Sequence, residues 1–500
     1  MAPVAPIEIT ASLSRPLTTV LPPTDETPSF LITSADKSYK HQYANIYFVR
    51  LRMLRNVVLE QARLRWQGIE GSKLCYIVGT VYMDMPLKPN VLEDIARDNS
   101  IPPPPPSSKF YSPDDSIMLE DESGRIQLVG ERVADARLVT GVIIAALGVE
   151  TPAGEFEVVD ICFAGMAPQP ENAEMDVEGV LNFFWMQNAI DSDPQNDPWI
   201  AVVSGLDIGS SSATEAQVQM LVEYLTGEEG GPREQISAAQ ISRLIIAGDS
   251  VAPLSLAAKG DVFDEKEGRK GRRYGYDATS FSSHPTLTFS AHLLDIARAM
   301  PVHLLPGETD PSGVILPQQP FPRAMFGAVS TYESFSCETN PTYLRIASSE
   351  TNTRTLLVNS GQPVNDMLKY VAAPPNTPLS LLESTLRWRH MAPTAPDTLW
   401  CHPYFSTDPF LMSGTPDLYV VGGQQRFGTK MVADKDDDKK RCRVVLVPRF
   451  ADTGILVLVN LRTLDVKCVK FGVTGMSGSS EDRTQDSERG ASVPPTPVES

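Results

Sequence analysis

Between residues 39 and 66, apolar side chains recur at three- and four-residue steps: Tyr43, Tyr47, Leu51, Leu54, Val58, Ala62 and Trp66. That period is the stripe of an amphipathic helix with one face turned to a core. Arg50, Arg52, Arg55, Arg63 and Arg65 fall off the stripe, so the spacing predicts a basic outer face. Packing on the domain that follows is the expectation, and contact with nucleic acid is the alternative. From residue 74 the pattern turns to short β-rich runs. The predicted strands are 74–83, 116–120, 125–129, 139–149 and 156–163, with Asp121-Glu122-Ser123-Gly124 as a hairpin turn. A helical insert is expected at 91–97. The five prolines 102–106 favour a polyproline II loop between the first two strands. Together these runs predict a five-stranded Greek-key barrel of the OB type. Its strands offer Tyr76, Tyr82 and Phe156 but few basic residues, which gives little support to single-strand binding.

Farther on, strands and helices alternate. The stretch 199–209, W-I-A-V-V-S-G-L-D-I-G, reads as a buried strand at 200–203 that ends in a turn. Predicted helices follow at 214–225 and 234–244, then a strand at 244–247 running into Gly248-Asp249. A helix at 287–300 leads to a strand at 302–305, which ends at Pro306-Gly307-Glu308-Thr309-Asp310. After Pro322 the alternation weakens, with strand candidates at 344–347, 355–358, 418–421, 443–448 and 455–461. The whole reads as a multidomain α+β chain whose second half is α/β with a second β-layer. The expected boundaries are a disordered arm at 1–37, the helix and barrel at 38–165, an acidic linker at 166–197, the α/β domain at 198–473 and a disordered tail at 474–500. The linker carries an apolar patch at 180–186. A basic insert at 259–276 reads as a solvated loop. Thr27-Pro28 in the arm has the form of a phosphorylation site, a dipeptide common by chance.

Composition narrows the function. The formal net charge is −19, which argues against a broad DNA-binding face and suits protein partners. Six cysteines form no C-x-x-C pair, and six histidines form no H-x-H, H-x-x-H or H-E-x-x-H pattern, so a zinc site or histidine-rich metal site is hard to build. There is no secretory signal and no membrane-spanning stretch. Cytosol or nucleus is the default compartment.

The strand ends carry S-G-L-D, G-D-S-V-A and G-E-T-D, with G-G-Q-Q near the C-terminus. This order resembles the calcineurin-like metallophosphoesterases, whose loops read D-x-H, G-D-x-x-D, G-N-H-D, a lone His and G-H-x-H. There two metal ions activate water for attack on phosphorus. The resemblance puts Gly205 where the first Asp belongs and Asp207 at its His. Asp249 matches the Asp of G-D-x-x-D, and Ala252 replaces the second acid. Glu308 and Thr309 replace the Asn and His of G-N-H-D, while Asp310 matches its acid. Ser360 falls at the lone His, and Gly423 and Gln425 replace the last two. Only Asp249 matches as a metal ligand, so the resemblance implies no catalytic residue, no metal site and no cofactor. Clustering of Asp207, Asp249, Glu308 and Asp310 around one hard cation is the alternative to aspartates that cap strand ends. His390 and His402 are expected to be packed or hydrogen-bonded, with Pro393, Pro396 and Asp397 shaping a rigid loop.

Longer stretches carry a second resemblance. They include Y-A-N-I-Y-F-V-R-L-R-M-L-R (43–55), V-G-T-V-Y-M-D-M-P-L-K-P (78–89), S-R-L-I-I-A-G-D (242–249), P-G-E-T-D-P (306–311) and R-H-M-A-P-T-A-P-D-T-L (389–399). Together they resemble the B-subunits of replicative DNA polymerases, in the delta branch, over about residues 39–471. That family joins an OB fold to an inactivated calcineurin-like phosphoesterase domain. The resemblance implies a non-catalytic nuclear scaffold for replication and repair. Its implied partners are the cysteine-rich C-terminal domain of the catalytic subunit of DNA polymerase delta and the third subunit. The resemblance further implies an indirect link to PCNA and DNA through that third subunit, and the polymerase zeta catalytic subunit as a further partner in translesion synthesis. Residual metal-dependent phosphodiester hydrolysis and single-strand binding are the alternatives.

Overall fold

The computed structural model describes residues 13–33, 42–68, 74–89, 108–170, 197–228, 230–252, 284–349, 352–434 and 439–472, with the isolated positions Lys37, Lys40 and Asp437. The features expected at 91–97, 102–106, 180–186, 259–276 and 474–500 lie outside the described residues. Strand β1 (Thr19–Leu21) precedes helix α1 (Asn45–Arg65). Strands β2 (Cys75–Asp84), β3 (Ser116–Glu120), β4 (Arg125–Val129), β5 (Ile143–Glu150) and β6 (Phe156–Cys162) close a barrel in the order β2-β3-β4-β6-β5, with the short helix α2 (Glu131–Asp135) between β4 and β5. Strand β5 is buried on both faces. Ile144 and Ala146 belong to one core with Phe156 and Val158, while Ile143, Ala145 and Leu147 pack against Leu51, Leu54, Val58, Ala62 and Trp66 of α1. Period-2 alternation thus gives one strand two apolar partners, and α1 lies on the barrel as its stripe requires.

The second half begins with β7 (Trp199–Val203), α3 (Ser212–Thr226), α4 (Pro232–Ala239), β8 (Ile241–Ala247), α5 (His284–Ala299), β9 (Val302–Leu305) and β10 (Phe335–Cys337). It continues with β11 (Thr342–Ser349), β12 (Asn352–Asn359), α6 (Gln362–Tyr370), α7 (Pro378–Trp388), β13 (Leu418–Gln424), β14 (Gly428–Ala433), β15 (Arg441–Pro448), α8 (Phe450–Thr453), β16 (Ile455–Asn460) and β17 (Val466–Lys470). Two six-stranded sheets result, β10-β9-β8-β7-β16-β17 and β1-β11-β12-β13-β15-β14. They share one apolar core, in which Ile200, Ile245 and Val457 of the first sheet meet Leu356, Val420 and Val445 of the second. Helices α3 and α5 cover the first sheet's outer face, and α6 and α7 cover that of the second. Among the described residues no helix is long and apolar enough to cross a membrane.

Several expectations are corrected. The helix expected at 234–244 stops at Ala239, and Ile241–Ala247 is a strand buried along its whole length. A short apolar run carries no period of its own, so the flanking helical pattern runs on into it in one dimension. Helices α6 and α7 escape the pattern because Pro363 and Pro378 read as breakers. Both stand in the first helical turn, where no amide donor is needed, and Thr377 and Ser380 form a capping box for α7. Within the arm expected to be disordered, residues 13–33 are laid along the domain. β1 pairs antiparallel with β11, Arg15 donates to the Ala238, Ile241 and Leu225 carbonyls, and Arg243 grips Thr18. Thr27 of the Thr-Pro dipeptide is buried and accepts from the Thr24 amide.

The largest correction concerns Arg50. It falls off the apolar stripe, yet it is fully buried. Its Nε donates to Asp408 Oδ2 at 2.7 Å, Nη1 to the Gly141 and Pro393 carbonyls at 3.1 and 2.7 Å, and Nη2 to the Ala395 carbonyl at 2.9 Å. The Ala392 amide donates to His390 Nδ1 at 3.1 Å, so Nε2 carries the proton and donates to Asp408 Oδ2 at 2.8 Å. Burial, reinforced by the Arg50 charge, pushes His390 down to about 4. Asp408 is held well below the usual carboxylate range by Arg50 and His390, against its own burial. His390 is thus a hydrogen-bonded core histidine. Asp397 closes the loop by accepting from Lys88 and Tyr370, and His402 is buried beside Tyr404.

Replacing Arg50 by Ala leaves Asp408 buried without a cation and is expected to cost about 3–5 kcal/mol of stability, measured by denaturant unfolding. His390 has a folded pKa below its unfolded value. Its contribution is therefore complete above about 6.5 and is lost as pH falls through about 4. Unfolding free energy should decline across that window, and His390→Gln should flatten part of the decline.

Candidate functional site

Parallel strands β7, β8 and β9 end side by side and deliver three loops to one edge. The chain must turn sharply there. Gly205 (φ 65°) and Gly248 (φ 81°) supply left-handed turns, and Asp207 (φ 46°) and Asp249 (φ 56°) adopt the same region at a cost. Ser204 ties the edge together. Its Oγ donates to the Ala247 carbonyl and accepts from the Gly423 amide, each at 2.8 Å.

The expected acidic residues take different roles. Asp310 is buried and accepts three amides: Ser250 and Val251 on Oδ1 at 2.8 and 3.0 Å, and Gly307 on Oδ2 at 2.8 Å. Burial pushes it up to about 7 in spite of those donors. Asp310 therefore braces two loops from within. Asp249 Oδ1 accepts from the Thr309 amide at 3.0 Å and its hydroxyl at 3.1 Å. Glu308 and Gln425 are exposed, and Asp207, Asp249, Glu308 and Asp310 form no metal-holding group among the described residues. Ala252 offers only its amide, to the Ile208 carbonyl. Ser360 is occupied by Asn340 and Gln362. A Cβ on Gly423 would meet the Ser360 carbonyl oxygen at 2.7 Å, so any side chain there is strained.

The residue that no sequence motif marks is Arg449. It follows β15 and reaches into the edge from the other sheet. Its guanidinium pairs with Asp207 Oδ2, lies 3.5 Å from Asp249 Oδ2, and its Nε is 3.3 Å from Asp452. Burial lowers Arg449, but Asp207 and Asp249 outweigh it and hold the group above its ordinary value. Burial raises Asp207, with Arg449 opposing. The only signal is its place at the carboxyl end of a β-run, V-V-L-V-P-R, outside every motif considered. Among the described residues no group of three or more His, Cys, Asp or Glu side chains is arranged to hold a metal ion.

A Cβ on Gly205 would lie 2.9 Å from Arg449 Cβ and 3.0 Å from its Cα, with φ in the left-handed region. Gly205→Asp is expected to destabilise the fold by about 1–3 kcal/mol through backbone strain and overpacking, read by denaturant unfolding.

Comparison with known proteins matches these two halves separately. The family of the DNA polymerase delta subunit OB-fold domain matches residues 42–161, and the family of the B-subunit of DNA polymerase alpha/epsilon matches residues 200–429. The DNA polymerase delta small subunit of Arabidopsis thaliana is 37% identical over 86% of this chain and 91% of its own length. That of Oryza sativa is 35% identical over 88% and 95%. That of Saccharomyces cerevisiae is 32% identical over 89% and 92%. A closed OB barrel, a two-sheet partner domain and identity at this level over nearly the whole chain agree: the chain belongs to the family of DNA polymerase delta small subunits.

Proposed function

We propose that this protein is a non-catalytic scaffold of DNA polymerase delta. It bridges the cysteine-rich C-terminal domain of the catalytic subunit and the third, PCNA-binding subunit, in the nucleus, during replication and repair. The polymerase zeta catalytic subunit is a second client of the same scaffold. The observation that carries the non-catalytic reading is the guanidinium of Arg449 on Asp207 and Asp249. Metal-assisted phosphodiester hydrolysis needs open coordination positions and a bound water at such a strand edge. A guanidinium supplies neither, Gly205 and Gly423 have no side chain, Ser360 Oγ is engaged by Asn340 and Gln362, and Gln425 is exposed. The α/β half then reads as a calcineurin-like domain kept for its shape.

A scaffold acts by fixing geometry and raising effective concentration. The Arg50 network supports that role, because it locks the barrel against the two-sheet domain. Coexpression with the C-terminal domain of the delta catalytic subunit is expected to give a complex that survives size exclusion. Separate elution of the two chains would sink the scaffold reading. Manganese-dependent hydrolysis of an activated phosphodiester, abolished by Asp249→Ala, would overturn the non-catalytic one.

A further inference from the structure

We propose that Arg449 is an internal counter-cation that holds the loops after β7 and β8 to the end of β15 and keeps divalent cations out of that edge. This deepens the non-catalytic reading, which rests on the same contact of Arg449 with Asp207 and Asp249, and it stands apart from the scaffold role.

The loops after β7 and β8 each place a carboxylate on a left-handed residue, Asp207 and Asp249. Both side chains turn an oxygen to the same guanidinium. Two carboxylates turned to one partly buried point repel each other, and a cation between them offsets that repulsion. The planar fork of an arginine suits two acceptors at once, and its charge persists across the physiological range. A hard divalent cation is the other species that oxygen ligands in such an arrangement attract.

Three observations favour substitution over incidental contact. First, the backbone of Arg449 is built into the edge: the Phe450 amide donates to the Ser204 carbonyl at 2.7 Å and the Ala451 amide to the Gly205 carbonyl at 2.9 Å. Second, a Cβ on Gly205 would lie 2.9 Å from Arg449 Cβ and 3.0 Å from its Cα, so the place that the chain takes at 449 leaves no room at 205 for a side chain of any kind, a carboxylate ligand included. Third, Asp207 Oδ1 is buried with no hydrogen-bond partner. That carboxylate keeps acceptor capacity that the guanidinium leaves unused. Removal of the arginine side chain opens space beside an unsatisfied oxygen and two uncompensated charges, which is where a divalent cation would go.

The test is thermal unfolding of the full chain in EDTA and in millimolar MnCl2. The wild-type Tm is expected to be the same in both. Arg449→Met, which keeps apolar bulk and removes charge, should unfold several degrees lower in EDTA and regain part of that loss in Mn2+. Adding Asp207→Asn to Arg449→Met should raise the Tm in EDTA and abolish the response to Mn2+, since Asn tolerates a left-handed φ. If R449M cannot be purified, the triple variant D207N/D249N/R449M is expected to fold, because it removes the cation together with both anions. A wild-type Tm that rises with Mn2+ would overturn the proposal. So would an R449M variant as stable as wild type, or one rescued by neither Mn2+ nor D207N. Failure of the triple variant to fold would overturn it as well. None of these outcomes depends on subunit assembly, so they separate this proposal from the scaffold reading.

Discussion

The architecture depends on one buried guanidinium. Arg50 leaves water entirely, and a cation can do so only if its donors are matched. Its partners come from the turn before β5 and from the loop around residues 390–411, so that satisfying one side chain of α1 assembles helix, barrel and two-sheet domain. Gly141 is part of the same constraint. A Cβ there would meet the Pro393 carbonyl oxygen at 2.0 Å and Arg50 Nη1 at 2.4 Å, so only glycine allows the approach. His390 completes the shell by donating to the carboxylate that Arg50 needs as an anion.

Buried arginines organise this acidic chain repeatedly. Arg243 donates to Thr18 and meets His303 at 2.6 Å, and His303 in turn meets Glu338 at 2.8 Å. That relay holds the N-terminal arm to the first sheet. Arg354, half-buried on β12, binds Asp417 and the Leu461 and Arg462 carbonyls, which ties the second sheet to the loop after β16 of the first. The chain carries 43 Lys and Arg against 62 Asp and Glu, and these arginines enter the interior where separate segments meet. Arg449 follows the same logic at the strand edge, where its charge falls on two carboxylates.

Much of this is legible from pattern. Strands β3, β4 and β9 match their expected limits residue for residue, because each is a short β-rich run bounded by turn residues or a proline. The α1 stripe predicts the face that meets β5, and the order of strand-end loops predicts which positions gather at one edge. The residue types at Gly205, Thr309, Gly423 and Gln425 are also legible in one dimension: glycine offers no side-chain ligand, and threonine and glutamine offer only a neutral oxygen.

What the sequence by itself determined, then, is the barrel with its packed helix, most strands of the second half and the residue types that stand at their ends. Tertiary structure alone decided which charged residues leave solvent. Arg50 and Arg52 are two positions apart on one helix, and only the arrival of Asp408 from more than 350 residues away separates a core cation from a surface one. The same holds for Arg449, whose partners lie some 200 and 242 residues upstream. Periodicity records hydrophobic burial because that is a property of neighbours along the chain. The burial of a charge is a property of its partners, and those come together only when the chain has folded.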